Sequence, residues 1–208
     1  ASYFIKVIQF AATRKNIPFI SIKITGLVSS SLLEKLDTSL STNGVEPLHT
    51  RFNTKFQQLS QEEKAQWEQL MARTVRLCQA ASDAGIGIMI DAEESWIQDA
   101  IDVVATQMMA AFNLGKVVVY NTVQLYRSDR LSYLSNTLEE AEQAGYLAGL
   151  KLVRGAYMEK ERARAIEFGY QDPIQPNKES TDSAYNEALK FCIENSDKVS
   201  ICVGTHNE

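Results

Sequence analysis

The sequence has no apolar run approaching the roughly 20 residues that a membrane-spanning helix needs, and no signal-peptide pattern opens it at Ala1. A spanning segment is therefore excluded as the organising element, while peripheral contact with a membrane stays open. Cysteine is scarce: Cys78, Cys192 and Cys202 make an odd number without zinc or CxxC spacing, each in apolar surroundings. That pattern argues against a disulfide framework and fits reduced, buried thiols in a reducing compartment. Dense basic clusters are also missing. With a formal charge of -5 and a pI near 5.2, the chain is not expected to bind nucleic acid, and a small molecule is the expected partner. His49 stands in a loop with no cysteine, histidine or carboxylate at ligand spacing, so no metal is expected there. No Gly-x-Gly-x-x-Gly follows an expected strand, which removes the dinucleotide fingerprint, and no two strands are joined by a tight hairpin turn.

What is present is a core-forming chain of 208 residues, 45% hydrophobic. Phe4, Ile8 and Ala11 recur at helical spacing over 2–12, and Pro18 forbids continuing that helix. From Phe19 to Leu27 the pattern alternates, with Ile20, Ile22 and Ile24 on one face and Ser21, Lys23 and Thr25 on the other. Residues 29–54 read as irregular around a short helix at 31–36, with loops at Asn43-Gly44 and Pro47. Ser60 followed by Glu62 and Glu63 opens a long helix with a stripe of Trp67, Leu70, Met71, Val75, Cys78 and Ala81, ended by Gly85. A second strand spans 86–90 and runs into Asp91-Ala92-Glu93-Glu94; a helix with capping-box spacing then starts at Ser95 and carries Ile97, Ala100, Ile101, Val104, Met108 and Ala111. A third strand at 116–120 enters Asn121-Thr122-Val123-Gln124, and Ser128 is the expected cap of a helix that Gly145 closes. The fourth strand carries Lys151 and ends at Arg154-Gly155-Ala156-Tyr157, before a charged helix over 159–168. Past a loop holding Pro173 and Pro176, a helix from Ser180 or Thr181 leads to a fifth strand at 199–203, which ends in Gly204-Thr205-His206-Asn207.

Short apolar strands alternating with helices indicate parallel α/β units. Polar residues recur at the carboxyl ends of the strands, namely Lys23, Asp91, Asn121, Arg154 and His206, and this favours a (β/α)8 TIM-barrel type, whose sites lie on that face. A complete barrel needs about 250 residues. The expectation is one domain over 1–208, with an N-terminal helix at 1–16, about five βα units over 17–208, and further C-terminal units missing. Lys23, Lys151 and Arg154 beside Asp91 would form a mainly cationic mouth fit for a carboxylate or a phosphate. Each residue also has a plainer reading: a solvated edge lysine, acids favouring a helix N-terminus, amides bonding a loop, an orphan histidine.

Lys151-Leu152-Val153-Arg154-Gly155-Ala156-Tyr157 is similar to the central motif of the proline dehydrogenase family, as are Ile90-Asp91-Ala92-Glu93-Glu94 and Gly204-Thr205-His206-Asn207. The likeness runs from about Ile17 to the last residue and is strongest to the monofunctional, eukaryotic-type branch. It implies a distorted (β/α)8 barrel that binds FAD non-covalently and oxidises L-proline to Δ1-pyrroline-5-carboxylate in proline catabolism, with hydride transfer to flavin N5. On the matching positions Lys23 would pair with the proline carboxylate, Asp91 would order the pocket and Tyr157 would pack near substrate and flavin. Lys151 and Arg154 stand where the bifunctional bacterial branch has arginine and lysine, an exchange that alters hydrogen-bond geometry. Asn121 and Gln124 are the candidate amides for the flavin, Asn121 standing where many bacterial relatives have glutamine. Gly155 and Ala156 would leave room for the cofactor. Lys178, Thr181, Thr205 and His206 match positions near its ADP portion.

The resemblance further implies a membrane quinone as electron acceptor, with peripheral membrane contact and possible homo-oligomers. Bacterial cytoplasm at the inner membrane and the mitochondrial matrix both fit. The family clamps proline with two adjacent arginines, a tyrosine and a glutamate on a late helix, and no Arg-Arg pair occurs here, so a catalytically incomplete fragment is expected. Two other readings stay open. A desolvated Lys23 or Lys151 would support Schiff-base, aldolase-like chemistry. A half-barrel with unsealed edges would serve as a binding or oligomerisation scaffold.

Overall fold

A computed structural model describes residues 2–38 and 47–205, so the expectations placed on Asn43-Gly44 and His206 fall outside the described residues. The elements in chain order are α1 (Ser2–Ala12), β1 (Phe19–Ile22), α2 (Ser30–Leu36), α3 (Leu48–Gln57), α4 (Gln61–Ala84), β2 (Gly87–Ile90), α5 (Ser95–Phe112), β3 (Val119–Gln124), α6 (Arg130–Ala144), β4 (Ala148–Val153), α7 (Met158–Phe168), α8 (Lys178–Glu194) and β5 (Val199–Gly204). The strands form one parallel sheet in the order β1-β2-β3-β4-β5. Each strand pairs with its neighbours in sequence through a helical crossover, which is the connectivity of an arc of a (β/α)8 barrel.

The register sorts the strand residues into two faces. Ile22, Ile90, Asn121, Leu150 and Ile201 align across the sheet on one face. That face holds most of the core, with Ile88, Ile90, Val119, Leu150 and Leu152 fully buried beneath α4, α5, α6 and α8. Thr122, Lys151 and Cys202 align on the opposite face. Burial pushes the Cys78 thiol up to about 12 and that of Cys192 to about 11, which keeps both protonated and unreactive.

Several boundaries differ from those the sequence pattern predicts. β1 stops at Ile22, because Thr25 sends its N–H and hydroxyl to Glu93 instead of to a neighbouring strand, and Ile24–Gly26 turns as a 3-10 helix. The stretch expected to be irregular contains α3, which packs Phe52 against Trp67 at 5.0 Å between ring centroids and leaves His49 exposed. On α4, Val75 is exposed and Thr74 and Leu77 take the buried positions. The Ser60–Glu63 capping box forms as expected. On α5, Met109 is buried where Ala111 is exposed. Asp129 occupies the cap position of α6 while Ser128 bonds the Pro173 carbonyl, and α8 begins at Lys178 behind an Asn177 cap. β3 starts and ends later than expected, and this shift decides which amide reaches the site.

Candidate functional site

At the carboxyl ends of the strands lies a cavity of about 430 Å³. Lys23 lines it just past β1, Asp91 and Ala92 past β2, Thr122 and Gln124 in β3, Lys151 and Val153 in β4, and Gly204 and Thr205 at β5. The turn Arg154-Gly155-Ala156-Tyr157 between β4 and α7 completes the wall. The period of two along each strand explains the selection: Thr122 and Gln124 share a face, as do Lys151 and Val153.

The charged groups are arranged in pairs. Lys151 Nζ donates to Asp91 Oδ1 at 2.8 Å across β3, with side chains 22% and 24% exposed. Lys23 Nζ donates to the Tyr157 hydroxyl at 2.9 Å and lies 5.6 Å from the centre of that ring. This hydrogen bond outweighs partial desolvation and raises the Lys23 ammonium above its ordinary value. Arg154 donates to Asp182 and to Thr205 Oγ1, and its guanidinium lies 4.3 Å from the Tyr185 ring centre. A lysine that forms Schiff bases needs the opposite shift, a lowered pKa. A raised Lys23 and an ion-paired Lys151 therefore disfavour the aldolase-like reading.

Gln124 is 3% exposed, and its Nε2 donates to the Glu93 carbonyl at 2.9 Å. Its Oε1 is buried without a hydrogen-bond partner, on a side chain that lines the cavity. Such an acceptor suits an N–H donor on a ligand edge. Gly155 is required by two facts at once: its φ is +145°, and a Cβ there would lie 2.4 Å from the Tyr126 ring. The glycine lets the turn lie flat on that ring.

Asn121 does not join the site. It sits in the middle of β3 on the helix-facing side, and its Nδ2 donates to Asp102 Oδ1 and to the Tyr133 hydroxyl, both at 2.8 Å. An end of the strand at Tyr120 put Asn121 at its exit; the true strand runs four residues further, so Asn121 lies inside it and Gln124 stands at its end. Lys178 and Thr181 do not line the cavity either. Lys178 pairs with Asp182, the acid that also receives Arg154, and Thr181 bonds the Asn177 carbonyl within α8.

Sequence reasoning missed the polar network beneath the cavity. Glu93, 4% exposed, takes the Thr25 N–H at 3.1 Å and also the Thr25 hydroxyl, fixing the turn that follows Lys23. Gln98 accepts from the Glu93 N–H and donates to Asp102, both at 2.8 Å, and Asp102 receives Arg130 at 2.8 Å. Polar residues Gln98 and Asp102, four apart on the otherwise apolar face of α5, were the available signal.

An arc of parallel strands with a mainly cationic cavity at its carboxyl ends defines a barrel-type α/β ligand-binding domain. A family model described as "Proline dehydrogenase" matches residues 5–208, and the chain belongs to that family. It is 36% identical over 170 residues to human "Proline dehydrogenase 1, mitochondrial", covering 80% of this chain and 27% of that protein. Against "Hydroxyproline dehydrogenase" of Xenopus laevis it is 30% identical over 220 residues, covering all of this chain and 47% of the relative. Proline utilization A from Bdellovibrio bacteriovorus, solved after inactivation by N-propargylglycine, superposes with a TM-score of 0.76 at 18% identity, over 99% of this chain and 21% of that one. The fold is thereby of the TIM-barrel type, and the chain spans less than half the length of each of these relatives.

Proposed function

We propose that these residues form the cofactor-facing and carboxylate-binding wall of an FAD-dependent dehydrogenase that oxidises L-proline. The observation that carries the reading is the convergence of Lys23, Asp91, Gln124, Lys151 and Tyr157 on one cavity, in a chain of this family. FAD, when bound, supplies the acceptor for a hydride from the ring carbon beside the substrate nitrogen. The residues fit such a group: the unpartnered Gln124 Oε1 would accept from a flavin N–H, Lys151 would supply a positive charge to it, and Arg154 with Thr205 would supply donors for its phosphates. Lys23, held by Tyr157, presents its ammonium to the substrate carboxylate, and Tyr157 covers the apolar ring. Asp91 balances Lys151, so that the net positive charge of the lining comes from Lys23 and Arg154.

Turnover is assigned to the longer protein, with these residues as one wall of its site. Transfer of electrons to a membrane quinone belongs to that proposal. So does mitochondrial placement, which is the compartment in the name of the human relative. Among the described residues no helix is long and apolar enough to cross a membrane.

Titration with FAD, followed by L-proline, tests the reading. Flavin binding by the 208 residues, or by a chain extended past residue 208, with bleaching of the flavin absorbance only in the extended chain, is the expected result. Absence of flavin binding in both overturns it.

A further inference from the structure

Glu161 lies outside the cavity wall, yet it is completely buried. Both of its carboxylate oxygens go to one residue on another helix: Oε1 accepts the Ser95 N–H at 2.6 Å and Oε2 accepts the Ser95 hydroxyl at 2.5 Å. α5 has no side-chain cap of its own, since Glu94 at the cap position makes no such bond. Glu161 thus caps α5 from α7, where backbone N–H groups and the helix dipole favour an anion. It stands one helical turn beyond the cavity wall, because its own N–H closes on the Tyr157 carbonyl at 2.9 Å. Lys160 reinforces the junction by pairing with Glu94 and lying 5.5 Å from the Trp96 ring centre. Arg164 lies 4.4 Å from the same ring.

We propose that Glu161 is a positioning residue, which holds Tyr157 on Lys23 by fastening the first turn of α7 to the amino terminus of α5. The exits of β2 and β4 flank β3, and Asp91 and Tyr157 lie on those two exits. A tie between the helices that follow them fixes the width of the cavity at its cationic end. Without the carboxylate, two buried Ser95 donors lose their acceptor, and the turn that carries Tyr157 loses its anchor. This inference rests on the cavity geometry and holds for any ligand that fills it.

The test uses the chain carrying 13C at the tyrosine carbon bonded to the hydroxyl, with the Tyr157 signal identified by its disappearance in Tyr157→Phe. Lys23→Ala marks the position of that signal without the hydrogen bond. Glu161→Ala is expected to move it most of the way to that mark, while the buried Tyr146 signal stays in place and shows the fold intact. Glu161→Gln, which keeps one acceptor for the Ser95 N–H, is expected to bring it part of the way back. An unmoved Tyr157 signal in folded Glu161→Ala overturns the proposal, and so does a glutamine variant indistinguishable from the alanine variant. If Glu161→Ala does not fold, Ser95→Ala decides: it removes only the hydroxyl donor, so a smaller displacement in the same direction supports the proposal and none overturns it. Failure of FAD to bind both the 208 residues and the extended chain would strike the functional reading and leave this test unaffected.

Discussion

Two acid–base pairs with the same 2.8 Å separation lie on opposite faces of one sheet, and they do different work. Asp102–Arg130 is on the helix side with side chains 0% and 4% exposed, and Asn121, Gln98 and Asp129 occupy further positions around it. Asp91–Lys151 is on the cavity side, about a quarter exposed on both partners, facing a volume that can hold a ligand. A pair without water must have its remaining hydrogen-bonding positions filled by protein, because desolvation is otherwise too costly. A pair at a cavity can leave them to a ligand. Satisfaction on one face builds the frame, and spare capacity on the other makes the site.

Asp102→Ala is the most severe way to break this contrast. It leaves Arg130 buried beside only the half-exposed Asp129, and a cost of about 3–5 kcal/mol in urea unfolding is expected. A cost as small as that of an exposed pair would abolish the distinction. Gly155→Ala comes next, with about 2–3 kcal/mol expected in the same measurement from a left-handed backbone and a Cβ driven into Tyr126. Asp91→Asn sharpens the contrast from the other side. Stability is expected to change by less than about 1 kcal/mol, while FAD affinity, read by flavin fluorescence, falls about tenfold. An Asp91 variant that unfolds without losing affinity would reverse the assignment of the two pairs.

The smallest effect belongs to a third pair, Lys35 of α2 with Glu63 of α4. The Lys35 ammonium and the Ser60 N–H and hydroxyl pull Glu63 from 4.5 down to about 2. Because the folded value is depressed, this group adds stability above about pH 4.5 and loses it as pH falls toward 2. Glu63→Gln is expected to melt slightly below wild type at neutral pH and to converge with it near pH 2, a convergence that paired melts at the two pH values would show.

Much of this was readable along the chain. The Ser60 cap and the glycines at 85 and 145 are local signals, and each appears where expected. Lys23, Asp91 and Arg154 were recognisable as polar residues at strand ends, and they line the cavity together with Lys151 of β4 and Tyr157 of the turn. Asn121 was misassigned because the strand runs on to Gln124 and leaves Asn121 inside it, facing the helices. Thr25 had the alternation of a strand residue, yet its hydroxyl and N–H are taken by Glu93, 68 positions away. Glu161 reads locally as a solvated charge on a polar helix and is buried only because Ser95 comes to meet it.

The sequence by itself determined the parallel α/β pattern, the cationic character of the strand exits and the motifs of the family, since all of these follow from local periodicity and residue type. Tertiary structure alone decided which amide faces the cavity, which carboxylates are buried, and which charges pair across the sheet. Those outcomes depend on register and on partners dozens of residues away, and no local free energy encodes either one.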